Sequence, residues 1–211
     1  MIIPLHKRLR KRMHTEIASL QDELIELIYA IDNRLVLHGG TAIWRCYGGN
    51  RFSEDLDFYC RDSHNIEKLF VGKIKERSLE VLKFKKTENL IFCKVSNGST
   101  IVRVEINFAV DKKALARPYE RTDGSFMNVL TLTEEELILE KMEAYKNRRF
   151  IRDMYDIYHL SNYAMADSKA LHKFLDSIHQ PVDEKNLKTL VYSGAIPTFS
   201  QMLDSLKRRF G

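Results

Sequence analysis

A strand obliged to carry two aspartates on one face constrains this chain more than any other feature. From Asp55 onward, the run Arg51-Phe52-Ser53-Glu54-Asp55-Leu56-Asp57-Phe58 alternates polar and apolar residues. Strand side chains alternate faces with a period of two, so Asp55 and Asp57 share one face while Leu56 and Phe58 enter a core. The two carboxylates are spaced roughly 7 Å along the strand and repel each other unless a cation sits between them. The hard cation that prefers oxygen ligands and arrives with substrate phosphates is Mg²⁺, with Mn²⁺ as its alternative. Upstream, Gly39-Gly40-Thr41-Ala42 follows a short apolar strand, Leu35 to His38, and opens a helix. That arrangement aims backbone N–H groups at an anion. An anion cradle next to a metal-holding pair reads as chemistry on a nucleoside triphosphate.

The chain has 211 residues, 44% hydrophobic and 30% charged. This is the composition of an ordinary globular protein with enough chain to bury a core. No apolar run approaches the roughly 20 residues of a membrane span. The N-terminus is basic but lacks the apolar stretch of a signal peptide, so a cytoplasmic location and no membrane partner are expected. Cys46, Cys60 and Cys93 are widely and irregularly spaced, which implies neither a disulfide framework nor a zinc site. The net charge of +5 permits an acidic partner such as RNA, although many basic proteins bind none.

The periodicities divide the chain in two. Ile17, Leu20, Leu24, Ile28 and Ile31 mark an amphipathic helix over Thr15 to Ile31, and Ile66, Leu69, Phe70 and Ile74 mark another over His64 to Arg77. Strands are expected at Asp55–Cys60, Leu79–Lys86, Leu90–Ser96, Thr100–Val110 and Phe126–Leu130, with Asn97-Gly98 as a hairpin turn. Thr133-Glu-Glu-Glu136 is a capping box opening a helix to about Arg148. Helical patterns follow at 150–163, 168–179, 184–192 and 200–210. The expected organisation is a mixed α/β domain over residues 1–131 and a helical domain over 132–211.

Around the aspartates stand further candidates. Glu105 lies on the polar side of a strand that can neighbour the acids and would complete three carboxylates; the alternative is a cross-strand ion pair. Arg51 offers a bidentate fork for phosphate and Ser53 a hydroxyl, or both serve the turn. Thr41 can cap the helix or bind phosphate. Lys141 shares a helix face with Leu137 and Tyr145, where it either snorkels past them or reaches a phosphate. Asp153 and Asp156 can pair with Arg149 and Arg152 at i,i+4 on the helix surface. The sequence contains no Gly-x-Ser-x-Gly elbow and no P-loop.

The Gly39-Gly40-Thr41-Ala42 block followed by Arg51-Phe52-Ser53-Glu54-Asp55-Leu56-Asp57-Phe58 resembles the AbiEii/AbiGii toxin family of nucleotidyltransferases, within the polymerase-β-like superfamily. Glu140-Lys141 and Arg152-Asp153-Met154-Tyr155-Asp156 are similar to the family's later signature. The resemblance implies a minimal nucleotidyltransferase fold, a mixed sheet flanked by helices, with a helical C-terminal domain closing a cleft. It implies metal-binding acids at Asp55 and Asp57, a glycine motif at Gly39, Gly40 and Thr41, a functional lysine at Lys141 and later aspartates at Asp153 and Asp156. Glu105 stands where the superfamily places a third carboxylate. Members act as toxins of toxin–antitoxin systems, and some add nucleotides to the 3′ end of tRNA. The expected activity is therefore Mg²⁺-dependent transfer of a nucleoside monophosphate from an NTP to RNA, with tRNA as the favoured acceptor and a cognate antitoxin as partner. The catalytic set would be Asp55, Asp57, Glu105, Lys141 and Asp156; Gly39, Gly40, Thr41, Arg51, Ser53, Lys141 and Asp153 would bind the nucleotide. Transfer to a small molecule, as by the aminoglycoside nucleotidyltransferases, and a non-catalytic binding protein on the same fold are the competing expectations.

Overall fold

The computed structural model describes residues 3–61, 66–108, 112–163 and 168–210. Two helices open the chain, α1 (Leu5–Arg8) and α2 (Arg12–Ile31), the second starting one turn earlier than its apolar spacing indicated. The short strand β1 (Val36–His38) turns directly into α3 (Gly39–Cys46), and β2 (Leu56–Cys60) follows. Next come α4 (Ile66–Glu76) and three consecutive strands, β3 (Glu80–Lys86), β4 (Leu90–Ser96) and β5 (Ile101–Phe108). The expected helix start at His64 and strand end at Val110 lie outside the described residues.

A hairpin of β6 (Ala114–Glu120) and β7 (Phe126–Leu132) completes the sheet, whose order is β3-β4-β5-β2-β1-β7-β6. Strand β6 went unread in the sequence because Arg117-Pro118 interrupts its alternation. It survives as a strand because it is an edge, where the missing proline N–H costs no ladder bond. The sheet is mixed: β1 runs antiparallel to β2 and parallel to β7, while β2 runs parallel to β5. Leu56, Phe58 and Cys60 are buried on one face of β2, as the alternation requires. Truncating the fully buried Phe58 to alanine would cost about 3–5 kcal/mol.

After β7 the chain is helical: α5 (Glu134–Arg148), α6 (Ile151–Leu160), α7 (Ser168–Asp176), a 3₁₀ turn at Glu184–Asn186, α8 (Leu187–Leu190) and α9 (Phe199–Phe210). Half of the capping box forms. The Thr133 hydroxyl accepts from the Glu136 N–H at 3.3 Å, but the Thr133 N–H donates to the Lys113 carbonyl and the Glu136 carboxylate turns to Lys112. Arg149 ends α5 in the left-handed region, with φ of +51°, and turns the chain sharply into α6. The helical segment also clasps the loop before β2. Phe52 N–H donates to the Leu190 carbonyl, Tyr192 N–H to the Asn50 carbonyl, and the Tyr192 hydroxyl to the Gly49 carbonyl.

Candidate active site

The β1–α3 turn is where the glycines become necessary. Gly39 has φ of +73°, a conformation L side chains rarely adopt, and a Cβ there would lie 2.6 Å from Asp57 Oδ2. A Cβ on Gly40 would lie 2.5 Å from Ser53 Oγ and 2.7 Å from Arg51 Nη2. The start of α3 is thus pressed against the acid strand and its entry loop, which only bare backbone permits. Thr41 is not the helix cap, a position held by His38. Its hydroxyl is fully buried and donates to the Asp55 carbonyl at 2.5 Å, fixing the acid loop to the helix. Gln21 on α2 fixes the same loop from behind, its amide donating to the Ser53 carbonyl at 2.9 Å.

These elements frame a cleft of about 180 Å³ lined by Gly39, Gly40, Arg51, Ser53, Asp55 and Asp57, facing Arg103 and the α5–α6 residues Glu140, Lys141, Arg148 and Arg152. Asp55 immediately precedes β2, and Asp57 pairs in register with Glu105 on β5. Arg103 Nη2 donates to Asp55 Oδ2 at 2.5 Å, and its Nε lies 3.5 Å from Glu105 Oε1. Glu105 therefore meets an arginine of its own strand, two positions earlier, instead of one across the ladder. Burial raises the Asp55 pKa, and repulsion from Asp57, Glu54 and Glu105 adds to it, while Arg103 opposes the rise. Among the described residues, no group of three or more His, Cys, Asp and Glu side chains is gathered closely enough to hold a metal ion. What stands in the cleft is a pair of crowded carboxylates. Mg²⁺ is ordinarily held by one or two carboxylates plus substrate phosphates, so this donor set fits that cation.

The far wall is an ion-pair network that sequence reading had placed on a helix surface. Asp153 and Asp156 are both buried. Neither bonds at i,i+4 to Arg149 or Arg152. Asp156 receives Arg51 Nε at 2.8 Å and Nη2 at 2.7 Å, and Lys141 Nζ lies 2.8 Å from its Oδ2. Asp153 receives Arg148 Nε and Nη2, each at 2.7 Å, with Lys141 Nζ at 3.5 Å. Burial would raise the Asp156 pKa, but Arg51 and Lys141 outweigh it and draw it down to about 2. The Arg51 fork, expected to face phosphate, is thus engaged by Asp156, with Nη1 on the Phe52 carbonyl. Lys141 is buried rather than snorkelling.

Four cleft residues had been given no functional role from sequence: Arg103, Glu140, Arg148 and Arg152. Glu140 accepts from the Tyr59 hydroxyl at 2.6 Å, and His38 Nδ1 lies 3.2 Å from its other oxygen. His38 and Tyr59 stack at 3.9 Å. Burial pushes the Glu140 pKa up, yet these hydrogen bonds hold it below its ordinary value. Arg152 sits over the Phe150 ring beside Arg148. Its pKa is lowered, by burial first and then by the Arg148 charge. It is the one cleft cation, among the described residues, with no carboxylate bonded to it. The available signal was the crowding of Arg148, Arg149 and Arg152 at the junction of two helical patterns, of which only Arg149 and Arg152 were assigned partners, on the helix surface.

The family described as nucleotidyl transferase AbiEii toxin, type IV toxin–antitoxin system, matches residues 27–209. Among solved structures, JHP933 from Helicobacter pylori overlaps with a TM-score of 0.61 at 20% identity, over 92% of this chain and 90% of that one. A second H. pylori crystal structure overlaps with a TM-score of 0.60 at 18% identity, over 91% and 92% of the two chains. At those identities the likeness shows the fold. No curated protein matches the sequence significantly. No helix among the described residues is long and apolar enough to cross a membrane.

Proposed function

We infer the function from one premise: this chain belongs to the AbiEii nucleotidyltransferase toxin family and is a transferase of that class. We propose that it transfers a nucleoside monophosphate from an NTP to the 3′ hydroxyl of an RNA, with tRNA as the acceptor and a cognate antitoxin as its partner. The observation that carries the reading is the contact between Gly39 and Asp57, which brings the amide end of α3 against the acid pair.

In the reaction, the acceptor oxygen bonds to the α-phosphorus, the bond to the bridging oxygen of the β-phosphate breaks, and pyrophosphate departs with that electron pair. Asp55 and Asp57 would hold Mg²⁺ or Mn²⁺, which when bound neutralises charge on the transferring phosphoryl group. The Gly39–Gly40 amides and Ser53 would bind phosphate oxygens. Lys141, held by Asp153 and Asp156, presents a fixed positive charge to the same space, and Arg152 would bind the leaving pyrophosphate. The acceptor proton goes to a carboxylate. Glu105, beside Asp57, suits this better than Asp156, because a carboxyl with a pKa of about 2 is a weak base. Arg51 acts here as the tie between the acid loop and α6 more than as a phosphate ligand. Residues 132–211 would form the helical domain that closes the cleft over residues 1–131.

Incubation with each α-³²P-labelled NTP, Mg²⁺ and total tRNA tests the reading. Label in tRNA that disappears in Asp57→Ala supports it; no label above the Asp57→Ala background for any nucleotide would refute it. Label appearing in an aminoglycoside instead of RNA would move the acceptor to a small molecule.

A further inference from the structure

The sheet face that carries Asp55 and Asp57 extends well beyond the cleft. On the opposite face, Ile91, Cys93, Val95, Val102, Val104 and Ile106 are buried, and α2 and α4 pack over that side. On the acid-bearing face, consecutive strands place like charges directly opposite one another. Lys83 on β3 pairs in register with Lys94 on β4, and Lys94 pairs with Arg103 on β5. Arg103 then reaches Asp55. One step along, Lys85 lies opposite Phe92, Phe92 opposite Glu105, and Glu105 opposite Asp57. Lys83 Nζ stands 5.5 Å from the centroid of the Phe92 ring. Lys83, Lys85 and Lys94 are exposed, and among the described residues none is paired with a carboxylate.

Like charges directly opposite in adjacent strands destabilise a sheet. Lysines on an edge strand have a bland purpose, since they deter edge-to-edge aggregation, and this accounts for Lys83 and Lys85 on β3. It does not account for Lys94, which lies on an interior strand of the order β3-β4-β5-β2 and stands opposite Arg103, itself already paired with Asp55 and Glu105. The row crosses three strand spacings of about 4.8 Å each and ends on the reactive acid. Cations with one aromatic ring among them form the surface on which a single strand lies, its phosphates on the cations and a base on the ring.

We propose that the Lys83–Lys94–Arg103 row, with Phe92, is the docking track for the single-stranded end of a nucleic-acid acceptor, leading its terminal hydroxyl to Asp55 and Asp57. This rests on the transferase reading above and names the surface that presents the acceptor. The track is polar and open, so it selects polyanionic strand over base sequence.

The test compares wild type with Lys83→Glu/Lys94→Glu, two exposed positions outside the cleft, using fluorescence anisotropy of a labelled single-stranded oligoribonucleotide across a salt series. A control, Lys68→Glu/Lys75→Glu, changes net charge equally on α4, beyond the opposite face. Each single-strand phosphate contact contributes about 0.7 to the slope of log K against log salt, so losing two makes the slope shallower by about 1.4. Affinity at low salt should fall at least about tenfold in the track variant and stay near wild type in the control. Equal losses in both variants, or an unchanged slope and affinity in the track variant, would overturn the proposal. So would a wild type that binds no oligoribonucleotide. In the labelled-NTP assay, the track variant should raise KM for RNA and leave KM for the NTP unchanged. A wild type that transfers nucleotide to RNA while the track variant keeps its RNA KM sinks the track and leaves the transferase standing.

Discussion

Replacing Asp156 with asparagine removes one negative charge and leaves shape nearly intact, so it isolates what that charge does. The side chain is buried and accepts from both Arg51 and Lys141. A carboxyl whose pKa falls from 3.8 in the unfolded chain to about 2 on folding contributes about 2 kcal/mol at neutral pH. Asparagine also leaves two buried cations short of an anion, and breaking a buried pair in this way costs about 3–5 kcal/mol. We expect Asp156→Asn to lose about 3 kcal/mol at pH 7 in urea unfolding, a drop of about 6–12 °C in Tm for a chain of this size. The sign of the pH dependence follows. The folded pKa lies below the unfolded one, so the stabilisation is complete above about pH 5 and is lost progressively as pH falls through 4 toward 2. About 1 kcal/mol of the wild-type advantage should already be gone at pH 3. Urea titrations of both proteins at pH 7, 5, 4 and 3 measure this directly. A difference below about 1 kcal/mol at pH 7, or one that does not narrow between pH 5 and pH 3, would refute the assignment of Asp156 as the ionised centre of the far wall.

Gly40→Ala should lower transfer by about 100-fold, because its Cβ would collide with Ser53 Oγ and Arg51 Nη2 and push the amide turn off the acid loop; steady-state kinetics with labelled NTP checks it, and wild-type kcat would contradict it. Arg152→Ala should raise KM for NTP by about tenfold, the worth of one charge-assisted phosphate contact, while Tm changes little because no carboxylate is bonded to it. Thermal shift and initial rates with varied NTP separate these. Titrating wild type with Mg²⁺ to about ten times its Kd should raise stability by about 1.4 kcal/mol, or roughly 3–6 °C. Asp57→Asn should abolish that rise, and a persistent rise would place the cation elsewhere.

The local grammar of the chain carried most of the fold. Period-two alternation located β2, β4 and β5, the 3.6-residue period located α2 and α4, the Thr133 cap located α5, and Asn97-Gly98 located the hairpin, because these signals depend only on neighbours in sequence. It failed at β6, where a proline is tolerated only because the strand lies on an edge, a fact about its neighbours in space. The glycine pair and the Asp-x-Asp strand were likewise legible, since backbone freedom and facial alternation are properties of short segments. Which cation faces which carboxylate was not. Asp153 and Asp156 looked like surface partners of Arg149 and Arg152 because i,i+4 spacing is the one pairing rule available along a helix. Folding instead delivered Arg51 to Asp156 from 105 residues away, turned both aspartates inward, and left Arg152 facing the cleft. A buried charge takes the partner that tertiary packing brings to it, since desolvation penalises it until it is paired. Sequence alone determined that two acids would share a face near a glycine turn. Tertiary structure decided which cations are neutralised and which line the cleft without a carboxylate, because electrostatics acts through space whatever the order of the chain.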